Sequence, residues 1–248
     1  MADTLTEHSI EINTGEGSMT TFVVHPSSGG PHPVVLFLMD APGKRPLLHD
    51  MARTLASNGY YVMLPNLYYR ATPEFQLDFA SRESFERMRT LMSAVSNSKA
   101  VRDAGVLLQW ADSDPAADAE RVGCVGYCMS GPFAIFVAAE FPERVKAAAS
   151  FYGVRLVVDG ADSPHLRLGE IAGELLVACA ELDDYVPLEM VDQFEAAMVA
   201  SGVRGRVERY WGNHHGFAFN DRPAYDPVAD ARHWETLLDL FARNVQGA

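Results

Sequence analysis

Cysteine is scarce in this chain. Its 248 residues hold only Cys124, Cys128 and Cys179, an odd number without a CxxC pair, so neither a complete disulfide framework nor a cysteine-rich metal site is encoded. A reducing compartment is expected. Positive charge is short as well: 20 Lys and Arg face 33 Asp and Glu, a formal net charge of −13. Such a balance argues against a surface that neutralises nucleic-acid phosphates or docks on anionic lipid, so no nucleic-acid and no membrane partner is expected. No apolar run approaches the roughly 20 residues of a membrane span. Met1–Gly15 carries acids and threonines where a secretory signal needs a basic start and an unbroken apolar run, so a cytoplasmic location is expected. HExxH is absent, Gly43-Lys44-Arg45 lacks the spacing and the Ser/Thr of a phosphate loop, and no glycine fingerprint follows the first strand. No cofactor and no metal are expected. Nor does any repeat, low-complexity tract or Pro/Ser-rich linker divide the chain, and about 250 residues is a common size for one α/β domain. A single domain, 1–248, is the expectation.

What is present is enough to build a core: 48% of residues are hydrophobic and 21% charged. Short β-branched or aromatic runs predict strands at 8–12, 20–24, 33–39, 60–64, 121–125, 145–151, 175–180 and 203–210. Amphipathic or apolar stretches predict helices at 46–57, 82–95, 98–111, 129–140, 188–200 and 229–245. Asn58-Gly59 and Ser201-Gly202 supply helix stops. This alternation predicts an α/β fold with a mostly parallel sheet covered by helices on both faces, opened by an antiparallel hairpin because no helix separates the first two strands. Reactive groups on such sheets collect at the carboxyl ends of the strands.

Three strand ends draw attention. After 121–125 comes Gly126-Tyr127-Cys128-Met129-Ser130-Gly131 and then an apolar helix. A nucleophile elbow needs small residues two before and two after the nucleophile, where backbones approach closely, and Gly126 and Ser130 meet that need around Cys128. The turn also sets Cys128 at a helix amino terminus, where the dipole favours a thiolate. Cys124 and Cys179, mid-strand among apolar neighbours, read as inert core residues. The strand 175–180 ends in Glu181-Leu182-Asp183-Asp184, an acidic pair able to orient a histidine. The strand 203–210 runs into Trp211-Gly212-Asn213-His214-His215-Gly216-Phe217. Nucleophile, acid, histidine is the chain order of an α/β-hydrolase triad, although charge alone leaves Asp183 against Asp184 and His214 against His215 open.

Gly126-Tyr-Cys-Met-Ser-Gly131, Asp183-x-x-Val-Pro187 and His215-Gly-Phe217 resemble the dienelactone hydrolase family, over essentially the whole chain. The resemblance implies an α/β-hydrolase fold, with Cys128 as nucleophile, His215 as base and Asp183 as orienting acid. The resemblance also makes the choices that charge leaves open, the family's spacing to Val186-Pro187 favouring Asp183 and its Gly-Phe after the histidine, here Gly216-Phe217, favouring His215. The family also keeps a glutamate after its third strand that holds the resting cysteine; Asp40, one methylene shorter, stands there. Backbone N–H groups of Ala41 and Met129 are the expected oxyanion donors.

Family members grip a substrate carboxylate with arginines, one of them a few residues beyond the histidine. Phe219 and Asn220 stand there instead, and Arg222 is out of register. Arg70 and Arg82, with Arg87 and Arg89, are the remaining candidates for an anion clamp. Tyr127, Trp211 and Phe217, with Tyr68, Tyr69 and Tyr152, are candidates to line an apolar pocket. The expected activity is hydrolysis of a small-molecule ester or lactone through a Cys128 thioester, and a second enzymatic reading, consistent with the absent arginine, is an esterase of the same fold with an uncharged substrate. The alternative is a redox-sensitive or ligand-binding protein on an inactive hydrolase scaffold.

Overall fold

The computed structural model describes residues 4–246; the first three residues of the amino-terminal stretch and the last two of the chain lie outside the described residues. The chain resolves into two compact units, one up to Ala119 and one from Glu120. Both are α/β.

In the first unit β1 (Leu5–Asn13) and β2 (Ser18–Pro26) form the expected antiparallel hairpin. β2 pairs antiparallel with β4 (Tyr61–Pro65), which pairs parallel with β3 (His32–Leu38). β1 is mostly exposed, whereas every residue of β3 and β4 is buried. Continuous burial is what a strand covered on both faces shows, and it explains the unbroken apolar runs. The helix α1 (Pro46–Ser57) links β3 to β4 and buries Leu48, Met51, Ala52, Leu55 and Ala56, one stripe at helical spacing. α2 (Arg82–Ser93) and α3 (Asn97–Ala111) start where Ser81 and Ser96 accept backbone N–H bonds from Ser84 and Lys99.

β5 (Ala117–Tyr127) begins in the last residues of the first unit and enters the second, where β5, β6 (Val145–Phe151), β7 (Glu174–Leu182) and β8 (Gly205–His214) pair in order, all parallel. The helix α4 (Gly131–Glu140) is buried along Gly131–Ala139, as its all-round apolar sequence requires. α5 (Leu188–Ser201) stops at Gly202, whose φ of 71° suits a left-handed cap. α6 (Pro227–Phe241) starts under an Asp226 cap and runs into a π turn, 242–246. The sequence missed a 3₁₀ segment, Pro164–Glu170. It also ended β8 too early: a bulge takes up part of Trp211-Gly212-Asn213, and the ladder resumes with Leu182 opposite His214. Among the described residues no helix is long and apolar enough to cross a membrane.

The first unit also holds a buried carboxylate. Asp103 on α3 takes two parallel bonds from Arg70 (2.9 and 2.7 Å) and a third from the Tyr69 hydroxyl (2.8 Å), while its side chain is 1% exposed. Removing one side of such an arrangement leaves a charge and a hydroxyl unpaired, which costs about 3 kcal/mol or more. Asp103→Ala should therefore lower the urea midpoint strongly, whereas Glu16→Ala, which removes Arg70's exposed partner, should move it far less. Equal small shifts in the two variants would contradict this assignment.

Candidate active site

The end of β5 is shaped by close approach. Cys128 has φ of 54°, a left-handed conformation that a side-chain-bearing residue adopts only under constraint. A Cβ on Gly126 would lie 2.1 Å from the Ser130 carbonyl oxygen, and one on Gly131 would lie 2.3 Å from Gly153 Cα. Only glycine fits at either place. Ser130 brackets the turn, its Oγ accepting from the Tyr127 N–H at 2.9 Å and donating to the Tyr127 carbonyl at 3.1 Å. The Cys128 carbonyl accepts from Val154 N–H at 3.1 Å. Cys128–Ser130 form one 3₁₀ turn that leads into α4, so the helix starts two residues later than its sequence suggests.

The other two strand ends meet. Asp183, at the end of β7, accepts at Oδ2 from His215 Nδ1 at 2.8 Å and at Oδ1 from the Tyr185 N–H at 2.9 Å, and its side chain is fully buried. Asp184 and His214 are exposed. The His215 ring is flanked edge-on by Tyr152 at 5.1 Å and Tyr185 at 5.0 Å between centroids. Burial pulls the imidazole pKa down, but hydrogen bonding to Asp183, then hydrogen bonding and charge from Cys128, outweigh it and raise the value to about 9. Nδ1 being taken by Asp183, the Cys128 sulfur is the group that His215 Nε2 meets, and no other partner occupies that nitrogen. Cys128 is the one partly exposed cysteine of the three. Burial pushes the Cys124 thiol far up and that of Cys179 to about 12, so both stay protonated and unreactive at neutral pH. Among the described residues no group of three or more His, Cys, Asp or Glu is arranged to hold a metal ion.

A model of the dienelactone hydrolase family matches residues 19–245. The chain belongs to that family. A Synechocystis protein named carboxymethylenebutenolidase is 28% identical over 89% of either chain. A Bradyrhizobium protein named as a 2-oxo-3-(5-oxofuran-2-ylidene)propanoate lactonase is 23% identical over 92% of this chain and 91% of its own. The crystal structure of a Klebsiella pneumoniae protein described as a dienelactone hydrolase superposes with a TM-score of 0.86 at 24% identity, covering 97% of this chain and 100% of the other. The fold is therefore that of an α/β-hydrolase.

Several residues expected at a dienelactone hydrolase site do something else here. Asp40 is fully buried and paired with Arg45, whose Nη1 lies 2.5 Å from Oδ1, and its backbone carbonyl accepts from Gly43 N–H at 3.1 Å. The Asp40 charge therefore has a guanidinium partner within its own loop. Ala41 in that loop is fixed through its carbonyl, which accepts from the Tyr68 hydroxyl at 2.8 Å. Met129 follows Cys128 within the 3₁₀ turn. Arg70 is spent on Asp103 and Glu16. Arg82 is 93% exposed and pairs with Glu86 one helical turn away, an ordinary solvated helix charge. Tyr127 and Phe217 are core residues, the first stacked on Phe151 at 5.4 Å and the second on Tyr210 at 4.4 Å. Trp211 stands 64% exposed on β8. The residue missed was Tyr185; its only signal was its place two positions after the chosen acid.

Because His215 holds its proton above the 6.5 of a free imidazole, its protonated form adds stability in full below pH 6.5, about 3 kcal/mol, which fades as pH rises through about 9. An NMR titration of the His215 ring should find a value near 9 in the native protein, a fall toward or below the free value in Asp183→Asn, and little change in Asp184→Asn. Equal shifts in both variants would remove the basis for choosing Asp183.

Proposed function

We propose that this protein hydrolyses a carboxylic ester or lactone by nucleophilic catalysis through Cys128. The sulfur attacks the carbonyl carbon with the thiol proton already held on His215 Nε2, and the tetrahedral oxyanion accepts from the Met129 backbone N–H, with Ala41 as the second donor by family resemblance. The intermediate collapses to a thioester, and the leaving alkoxide carries away the proton from His215. Water then attacks the thioester, the now neutral His215 removing its proton, and the acid departs as the sulfur is expelled, the proton remaining on Nε2. Asp183 keeps the proton on Nδ1 throughout, so that Nε2 is the atom that exchanges it.

The observation that supports this most is a buried carboxylate orienting an imidazole whose other nitrogen meets Cys128 and no other partner. A purely redox role for Cys128 would leave that oriented imidazole without a task. The names of the relatives add that the bond cleaved is a lactone or ester in those proteins. The substrate we propose is uncharged, since Arg70 and Arg82 are engaged or solvated and no arginine follows His215 at the family position. In this reading 1–248 act as one catalytic domain.

Steady-state hydrolysis of a short aryl ester, a neutral lactone and a carboxylate-bearing dienelactone separates the alternatives. The native protein should turn over the two neutral substrates at least as well as the anionic one, and Cys128→Ala should lower kcat by about 10³-fold or more. Hydrolysis by Cys128→Ala within tenfold of native would end the nucleophile assignment; a strong kcat/KM preference for the anionic lactone would end the neutral one.

A further inference from the structure

A second histidine–carboxylate pair lies behind the elbow, at a place the proposed mechanism does not use. His233 on α6 is fully buried. Its Nδ1 lies 3.3 Å from Asp230 Oδ1 and its Nε2 lies 2.8 Å from the hydroxyl of Tyr127, the residue before Cys128. Asp230 is held in turn by the Tyr225 hydroxyl at 3.2 Å. A carboxylate only accepts, so Nδ1 carries the ring proton and Nε2 of the neutral ring accepts from the Tyr127 O–H. Burial, which lowers the His233 pKa, favours that same neutral ring.

The Tyr127 side chain is thereby tied to α6 while its backbone is tied to Ser130 on both its N–H and C=O. Its ring is also in contact with Tyr152, at 5.9 Å between centroids, and Tyr152 is the ring packed edge-on against His215. Strained backbone persists only where its surroundings over-determine it. Here the strained residue is Cys128, and the glycine contacts that accommodate it are steric, whereas the Tyr127–His233 bond is directional.

We propose that His233, oriented by Asp230, is a positioning residue that acts through Tyr127 to hold Cys128 and His215 in register. This rests on Cys128 being the nucleophile. Removing the bond should slow chemistry while leaving substrate binding alone, and an isosteric acceptor should restore it.

The test compares native protein, Tyr127→Phe, His233→Leu, His233→Gln, the Tyr127→Phe/His233→Leu double variant and Cys128→Ala, with p-nitrophenyl acetate as substrate and iodoacetamide alkylation of Cys128 as a second readout. Tyr127→Phe keeps the stacked ring and deletes only the hydroxyl, so it remains informative even where His233→Leu folds poorly. Tyr127→Phe and His233→Leu should each lose about 5- to 20-fold in kcat with KM within about twofold, and alkylation should slow in parallel. His233→Gln should recover most of the loss because its carbonyl can accept from Tyr127, and the double variant should be no worse than either single one. Near-native kcat in Tyr127→Phe beside an inactive Cys128→Ala would overturn the inference, as would multiplicative losses in the double variant. An active Cys128→Ala would instead remove the nucleophile reading beneath it.

Discussion

Everything at the candidate site depends on one backbone torsion. A non-glycine residue in the left-handed region costs roughly 1–3 kcal/mol, and Cys128 sits there at φ 54°. The strain turns the chain from strand into helix within three residues and leaves the sulfur partly exposed where its neighbours are buried. It is sustained because Gly126, Gly131 and Gly153 remove the side chains that would collide, because Ser130 closes the turn on Tyr127, and because Val154 donates to the Cys128 carbonyl. A Cβ at any of those glycines would collide with the neighbouring backbone or the Ser150 hydroxyl, so the turn would have to shift.

Electrostatics complete what the turn begins. Asp183 is a fully buried carboxylate whose two oxygens are both occupied, one by a backbone N–H and one by His215, so its charge is satisfied and its orientation fixed. The imidazole gains a proton affinity that its own burial opposes, and the balance falls in favour of the charged form up to about pH 9. In the first unit the same principle serves stability instead: Asp40 with Arg45 and Asp103 with Arg70 are buried pairs in which each acid has a guanidinium partner.

The parts legible in the sequence are those governed by local pattern. β3, β4, β6 and most of β7 were readable because burial on both faces makes a strand a continuous apolar run, and the elbow because its steric demand appears as Gly and Ser at fixed offsets. The pairing of Asp183 with His215, rather than of Asp184 with His214, was not readable from charge; it needed the family spacing, and its physical basis is that β7 and β8 leave the first pair inside and the second in solvent. Long-range partners were invisible. Nothing around Arg70 announces Asp103, 33 residues later, and nothing around Tyr127 announces His233, 106 residues later. In the sequence both read as candidate substrate contacts, because an arginine or tyrosine near a strand end looks the same whether it faces a ligand or the core. The carboxyl end of β8 was missed because Trp211-Gly212-Asn213 has the composition of a loop, while a bulge lets the ladder continue through it.

Covalent capture of the acyl group tests the nucleophile most directly. Rapid acid quench of the protein mixed with p-nitrophenyl butyrate, followed by intact-mass and peptide analysis, should show one butyryl group per chain as a thioester on Cys128 and none on Cys124 or Cys179. The adduct should persist longer in His215→Ala, where deacylation lacks its base. A butyryl group on a serine or on another cysteine, or turnover with no acylated protein at any quench time, would contradict a Cys128 thioester mechanism.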